Sequence, residues 1–377
     1  MNFRTLFLPV FAGIFFAGCG SSATVGANPR PSDPWVESTL AAMTPEEKAG
    51  QILITHFHSL PGDLKSRSTF NKEMARIIRE VKPGGILFFA ENFVTSEQTR
   101  ALTQDLQNLS KIPLFLAADE EGGRVARLGR KPAMGVPNLP SARKLGLKGA
   151  DAVESAARDL GRSMRALGLN MNLGPVADLD TVVGNPLGDR AFSSDPKTAG
   201  LLAAAFVQGL QSQGILAVAK HFPGLGVVSL DPHFALPSWK WNSESFLTVE
   251  SIPFRAVAEA SGIMVAHLEI RGLENETVLA PWSRKLITGI LREDWGYEGL
   301  VMTDALNMGA VQGTLKPGDE TLKALLAGAD LVLMPPNPLA SVKRIVGAVK
   351  TGELDQMVLD RAVRRILNLK NKIEKVK

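Results

Sequence analysis

The sequence predicts an α/β fold closed into a single (β/α)8 barrel of the TIM type. Eight short apolar runs, of the kind buried on both faces of a sheet, recur along the chain with longer amphipathic stretches between them. Ionisable residues collect just past these runs, where a barrel of this type carries its active site. The main competitor is a doubly wound open sheet, which requires no fixed strand count and usually opens on a glycine-rich turn.

Taken in order, the chain begins with MNFRTLFLPVFAGIFFAGC, one arginine followed by an apolar run from Leu6 to Ala17. The run is short for a membrane span and reads as a secretory signal over residues 1–18. It ends in Phe16-Ala17-Gly18-Cys19, which resembles a bacterial lipobox with Phe where Leu is usual. Cys19 is the only cysteine, so no intramolecular disulfide can form, and its expected role is lipidation. The alternative is an ordinary signal peptide with an incidental cysteine. Residues 19–33 (CGSSATVGANPRPSD) then read as a lipidated flexible tether. The expected location is outside the cytoplasmic membrane, periplasmic or on the cell surface, with the lipid anchor as membrane partner.

Residues 34–377 are expected to form the barrel. Asp33-Pro34 and Thr44-Pro45-Glu46-Glu47 read as helix starts, the second as a capping box. The apolar runs are QILIT (51–55), GILFFA (85–90), LFLAA (114–118), NMNLG (170–174), ILAVA (215–219), IMVAH (263–267), LVMT (300–303) and DLVLM (330–334). Helical stretches are expected at 69–82, 95–109, 150–167, 195–213, 285–294 and 337–350. Start signals stand at Thr95 with Gln98 and at Asp195 before Pro196. The 377 residues are 45% hydrophobic and 21% charged, ordinary for a globular protein. A formal charge of +4, with no basic run of five or more, gives no reason to expect a nucleic-acid partner. The chain is expected to be a monomer, to need no cofactor and to hold no metal.

Several of these runs lead straight into ionisable residues: Asp119 after the third, Asp178 after the fourth, Lys220-His221 after the fifth, His267 ending the sixth, Asp304 after the seventh. His221, His233 and Asp304 could converge on a metal, but Lys220 beside His221 adds a charge that a cation site would resist. Asp304, in VMTDAL, stands on a rigid strand end and suits a carboxylate nucleophile, or else caps the next helix. In KHFPGLGVVSLDPH (220–233), Asp231 lies two residues from His233. There it can orient the imidazole and raise its basicity for acid–base work, or the histidine simply closes a turn.

KHFPGLGVVSLDPHFALP (220–237) resembles a signature stretch of glycoside hydrolase family 3, most closely its single-domain β-N-acetylhexosaminidases. DEEGGRVARL (119–128), LGPVADLD (173–180), GDRAFSSD (188–195), MVAHL (264–268) and LREDWGYEGLVMTDALNMGA (291–310) fit the same family in order, over about residues 35 to 370. The resemblance implies a retaining exo-β-N-acetylglucosaminidase acting on cell-wall muropeptides or chitin-like oligosaccharides. It assigns Asp304 as nucleophile, His233 as acid/base and Asp231 as its dyad partner. Asp119, Arg127, Arg190, Lys220 and His221 would hold the terminal sugar. On residue type alone, Arg127 could equally be a surface residue and Arg190 a solvated loop cation. Two positions depart from the pattern: Leu225 replaces a histidine, and Pro232 replaces the serine between Asp231 and His233. Pro232 fixes its own φ and restricts Asp231 to extended conformations. A β-glucosidase or xylosidase, a phosphorylase and an inactive sugar-binding lipoprotein are the alternatives. Against the first, those enzymes usually carry a second α/β domain and a carboxylate acid/base.

Overall fold

Each of the eight apolar runs supplies most or part of one strand of a single sheet. The strands are β1 (Leu53–His56), β2 (Gly85–Phe88), β3 (Phe115–Ala118), β4 (Met171–Asn172), β5 (Leu216–Phe222), β6 (Gly262–Val265), β7 (Leu300–Thr303) and β8 (Val332–Leu333). The computed structural model describes residues 33–375 apart from 59, 61, 231–235 and 308–314. The expected signal, the tether with Cys19, and the Asp231-Pro232-His233 stretch therefore lie outside the described residues.

Each strand pairs in parallel with its sequence neighbour, and β1 pairs with β8. The ring closes between β7 and β8, where Met302 bridges Leu331 and the Thr303 amide donates to the Leu331 carbonyl at 3.1 Å. The expected (β/α)8 barrel is the fold. Ile54, Ile86, Leu116 and Ala117 of its strands are fully buried, as are Ala219 and Val301. Each Leu or Ile so buried contributes about 1.5–3 kcal/mol of transfer free energy. β4 is short because Gly174-Pro175 comes next, and proline has no amide for the ladder; pairing resumes at Val176, opposite Lys220.

Helices return the chain between strands, and their starts reflect side-chain chemistry. Thr44 and Glu47 form the capping box, with Glu47 N to Thr44 Oγ1 at 3.2 Å and Thr44 N to Glu47 Oε2 at 2.9 Å. Asp195 accepts from the Thr198 amide at 2.8 Å, opening the helix Pro196–Gln211. The helix expected from residue 69 begins at Lys72, because Asn71 accepts from the amides of Glu73 and Met74 and caps it there. The segment Lys285–Asp294 is helical as expected but wound as wider π turns. Among the described residues, no helix is long and apolar enough to cross a membrane.

The N-terminal face of the barrel is bolted by polar groups. The C-terminal helix Gln356–Lys375 places fully buried Lys370 beneath the strands, donating to Gln51 Oε1 at 2.6 Å and the Gly84 carbonyl at 2.8 Å. Asp330, 1% exposed, is gripped by Arg292 and Arg365 on the same face. That leaves the opposite face for chemistry.

Candidate active site

Asp119 leaves β3 at the C-terminal rim and is succeeded at once by a small hairpin, Glu120–Gly122 against Val125–Ala126. Gly122 and Gly123 have φ of +93° and +57°, and a Cβ on Gly122 would meet the Pro140 carbonyl at 2.5 Å. Only glycine fits this turn. Buried Glu120 accepts from three successive amides, those of Arg127, Leu128 and Gly129, at 2.7, 2.8 and 2.9 Å. Burial pushes the Glu120 carboxyl up, and the three amides oppose that shift. Asn172 of β4 clamps the same residue from behind, accepting from the Glu120 amide and donating to its carbonyl, each at 3.0 Å. The result carries Arg127 back to Asp119, with Nη2 3.7 Å from Oδ2.

β5 supplies the next pair. The expected strand ended at Ala219, but β5 runs through Phe222, so Lys220 and His221 are strand residues. The register shifts between Lys220 and Phe222, which interrupts the usual alternation. Both side chains reach polar partners as a result. Lys220 Nζ lies 2.7 Å from Asp119 Oδ1 and 2.7 Å from Glu121 Oε1, and Lys220 is only 3% exposed. Burial alone would lower its pKa, but Asp119 and Glu121 outweigh it and hold the ammonium charged.

Glu121 also takes both arms of Arg190, at 2.8 and 2.9 Å. Burial would raise the Glu121 carboxyl, but Lys220 and Arg190 hold it well below the usual carboxylate range. The Arg190 side chain is 15% exposed, so it is no solvated loop cation. His221 is oriented by buried Asp178, with Nδ1 to Oδ2 at 2.7 Å and the His221 amide to the same oxygen at 2.9 Å. The other oxygen of Asp178 takes the Leu225 amide at 2.7 Å. With Nδ1 committed to Asp178, Nε2 is the atom left to meet a ligand.

Asp304 stands across the mouth, one residue past β7. Its Oδ1 accepts from the Ala305 amide at 2.7 Å, and His267 Nε2 bonds the Ala305 carbonyl at 2.9 Å, fixing that turn. Burial pushes the Asp304 carboxyl up, but His267 and His221, then the Ala305 amide and Lys220, hold it below its ordinary value. It is an ionised carboxylate on a rigid support.

The structure thus joins Asp119, Arg127 and Lys220 directly, ties Arg190 to them through Glu121, and brings His221 and Lys220 into the field of Asp304. Sequence reasoning missed Glu121 and the orienting role of Asp178. The available signal was the third acid of DEEGG, two residues beyond the rim aspartate Asp119. His56 and His58 also sit at this rim, with ring centroids 4.3 Å apart and His58 4.3 Å from Phe89. Chemically, the arrangement offers one fixed carboxylate facing a ring of donors and acceptors suited to hydroxyl groups.

The chain as a whole is similar to known proteins. Beta-hexosaminidase A of Pseudoalteromonas piscicida is 31% identical over 368 residues, covering 88% of this chain and 62% of the relative. A beta-hexosaminidase of Bordetella avium is 35% identical, covering 69% of this chain and 76% of its own length. Among solved structures, a glycoside hydrolase family 3 beta-N-acetylglucosaminidase from a Paenibacillus species superposes with a TM-score of 0.82 at 32% identity, covering 88% of this chain and 63% of that one. The chain spans less than two thirds of the first of these relatives and about three quarters of the second. Residues 44–369 match the glycosyl hydrolase family 3 N terminal domain, and the chain belongs to that family.

Proposed function

We propose that the chain is a retaining β-N-acetylhexosaminidase that removes terminal N-acetylglucosamine from muropeptides or chitin-like oligosaccharides. The observation that carries this reading is the ionised Asp304 facing the Asp119–Lys220–Glu121–Arg190 network across one barrel mouth. In this reading Asp119, Arg127, Arg190, Lys220 and His221 grip the terminal sugar and set its anomeric carbon against Asp304.

Asp304 attacks that carbon from the face opposite the leaving group. The bond to the leaving oxygen breaks as His233, held by Asp231, gives that oxygen its proton. A glycosyl ester on Asp304 results. Deprotonated His233 then takes a proton from water, whose oxygen attacks the same carbon and releases Asp304, with net retention of configuration. Family resemblance supports the roles of Asp231 and His233.

The test is turnover of 4-nitrophenyl N-acetyl-β-D-glucosaminide, with products analysed in water and in phosphate buffer. Release of β-N-acetylglucosamine as the first product is expected in both. No turnover would refute an active enzyme, and accumulation of sugar 1-phosphate would make it a phosphorylase.

A further inference from the structure

The strand register places more than the known acids inside the barrel mouth. His56 pairs with Leu87, and Leu87 pairs with Ala117. Side chains alternate along strands, so His56, Phe89 and Asp119 project from the same side of the sheet. Asp119 reaches Lys220 on β5, with β4 lying between their strands, so that side is the interior. His56 and Phe89 therefore face the site, and His58 fills the space against both, its ring 4.3 Å from each. Arg127 joins this wall to Asp119: its guanidinium lies 5.8 Å over the Phe89 ring and 3.7 Å from the Asp119 carboxylate.

The Nδ1 atoms of His56 and His58 are buried without a hydrogen-bond partner among the described residues, and so is Arg127 Nε. Both histidines are only partly buried, so it is the part of each ring away from the buried Nδ1 that is open to a ligand. Burial, then the neighbouring His58, lowers the His56 pKa to about 4, so the ring is neutral and both donates and accepts.

Barrel geometry says which part of a sugar comes here. In a ring of eight strands, β3 and β7 are opposite, as are β1 and β5. A pyranose with its anomeric carbon at Asp304 directs its C4 end to Asp119, and its two edges then face β5 and β1. The β5 edge holds Lys220 and His221, charged and donor-rich, which suits the C2–C3 edge with its two polar substituents. The β1 edge holds imidazoles and a phenyl ring, which suits the C5 edge, where one hydroxymethyl group projects.

We propose that His56 and His58, backed by Phe89, determine specificity by reading the C5 substituent of the bound sugar. One imidazole bonds the hydroxyl of a hydroxymethyl group, and the phenyl ring packs on its methylene. The inference rests on the glycosidase reading.

The experiment compares 4-nitrophenyl N-acetyl-β-D-glucosaminide with its pentose counterpart, identical but lacking the hydroxymethyl group. The wild type should favour the first in kcat/KM. In at least one of His56→Ala and His58→Ala, the one that removes the bonding imidazole, that preference should fall about five- to tenfold, the range set by one neutral hydrogen bond, because the first substrate alone slows. Phe89→Leu, which keeps the core volume similar, reports the packing contribution if an alanine variant fails to fold. Equal losses on both substrates in folded variants would overturn the inference and leave the glycosidase reading standing. A wild type that turns over neither substrate would overturn both.

Discussion

Glu121 is the residue on which two cations depend. It neutralises Lys220 at 2.7 Å and Arg190 at 2.8 and 2.9 Å inside a site from which water is largely excluded. Glu121→Gln keeps the shape but leaves one positive charge uncompensated, which is costly when buried. We expect kcat/KM to fall about 10–100-fold, equally for aryl and oligosaccharide substrates, since the network grips the sugar they share. Steady-state kinetics on both substrates checks this, and a loss confined to oligosaccharides would contradict it. His233→Ala should behave in the opposite way, because an aryl leaving group needs little protonation and a sugar leaving group needs the proton. Its loss should be modest on the aryl glycoside and about 10²–10⁴-fold on the oligosaccharide. Asp119 and Asp304 were legible in the sequence because each directly follows a strand, and Lys220 because it directly follows the apolar run ILAVA; strand ends set the rim. Glu121 was not, because its partner Arg190 is 69 positions away and ends the short 3₁₀ turn Gly188–Arg190. Only the hairpin fold-back, enforced by Glu120 and the glycine turn, aims Glu121 inward.

At the scale of elements, the strands were legible because parallel strands buried on both faces read as plain apolar runs. Strand length was less so. Lys220 and His221 look like loop residues by polarity, yet they continue β5, since Asp119, Glu121 and Asp178 replace the water they would otherwise need. The C-terminal helix Gln356–Lys375 carries a second surprise in Lys370, fully buried with two oxygen acceptors and no carboxylate. Burial lowers its pKa well below the ordinary 10.5. The folded state therefore binds this proton more weakly than the unfolded chain does. Stability should rise with pH from the folded-state pKa up to about 10.5 and decline as pH falls through that window. Lys370→Met should flatten this slope, and thermal midpoints of both proteins across pH 7 to 10 measure it. An unchanged slope would mean that Lys370 is not its source.

At the scale of the whole molecule, the barrel keeps its two ends distinct. Lys370, Asp330 and the arginines fasten the N-terminal face, and the chemistry gathers at the other. Outside the barrel, we propose that Phe16-Ala17-Gly18-Cys19 is a lipidation signal and that residues 19–33 tether the protein to a membrane. Cys19→Ser should move it from the membrane fraction to the soluble one, and membrane retention of the variant would end that proposal. At the barrel mouth, we propose that a sugar becomes bonded to Asp304 during turnover. A 5-fluoro-N-acetylglucosaminyl fluoride, which slows release of the glycosyl-enzyme, should inactivate the protein transiently. Peptide mass mapping after a brief acid quench should then place the added sugar mass on the peptide containing Asp304, and Asp304→Asn should carry none. Label on another residue, or the same label on Asp304→Asn, would contradict the account.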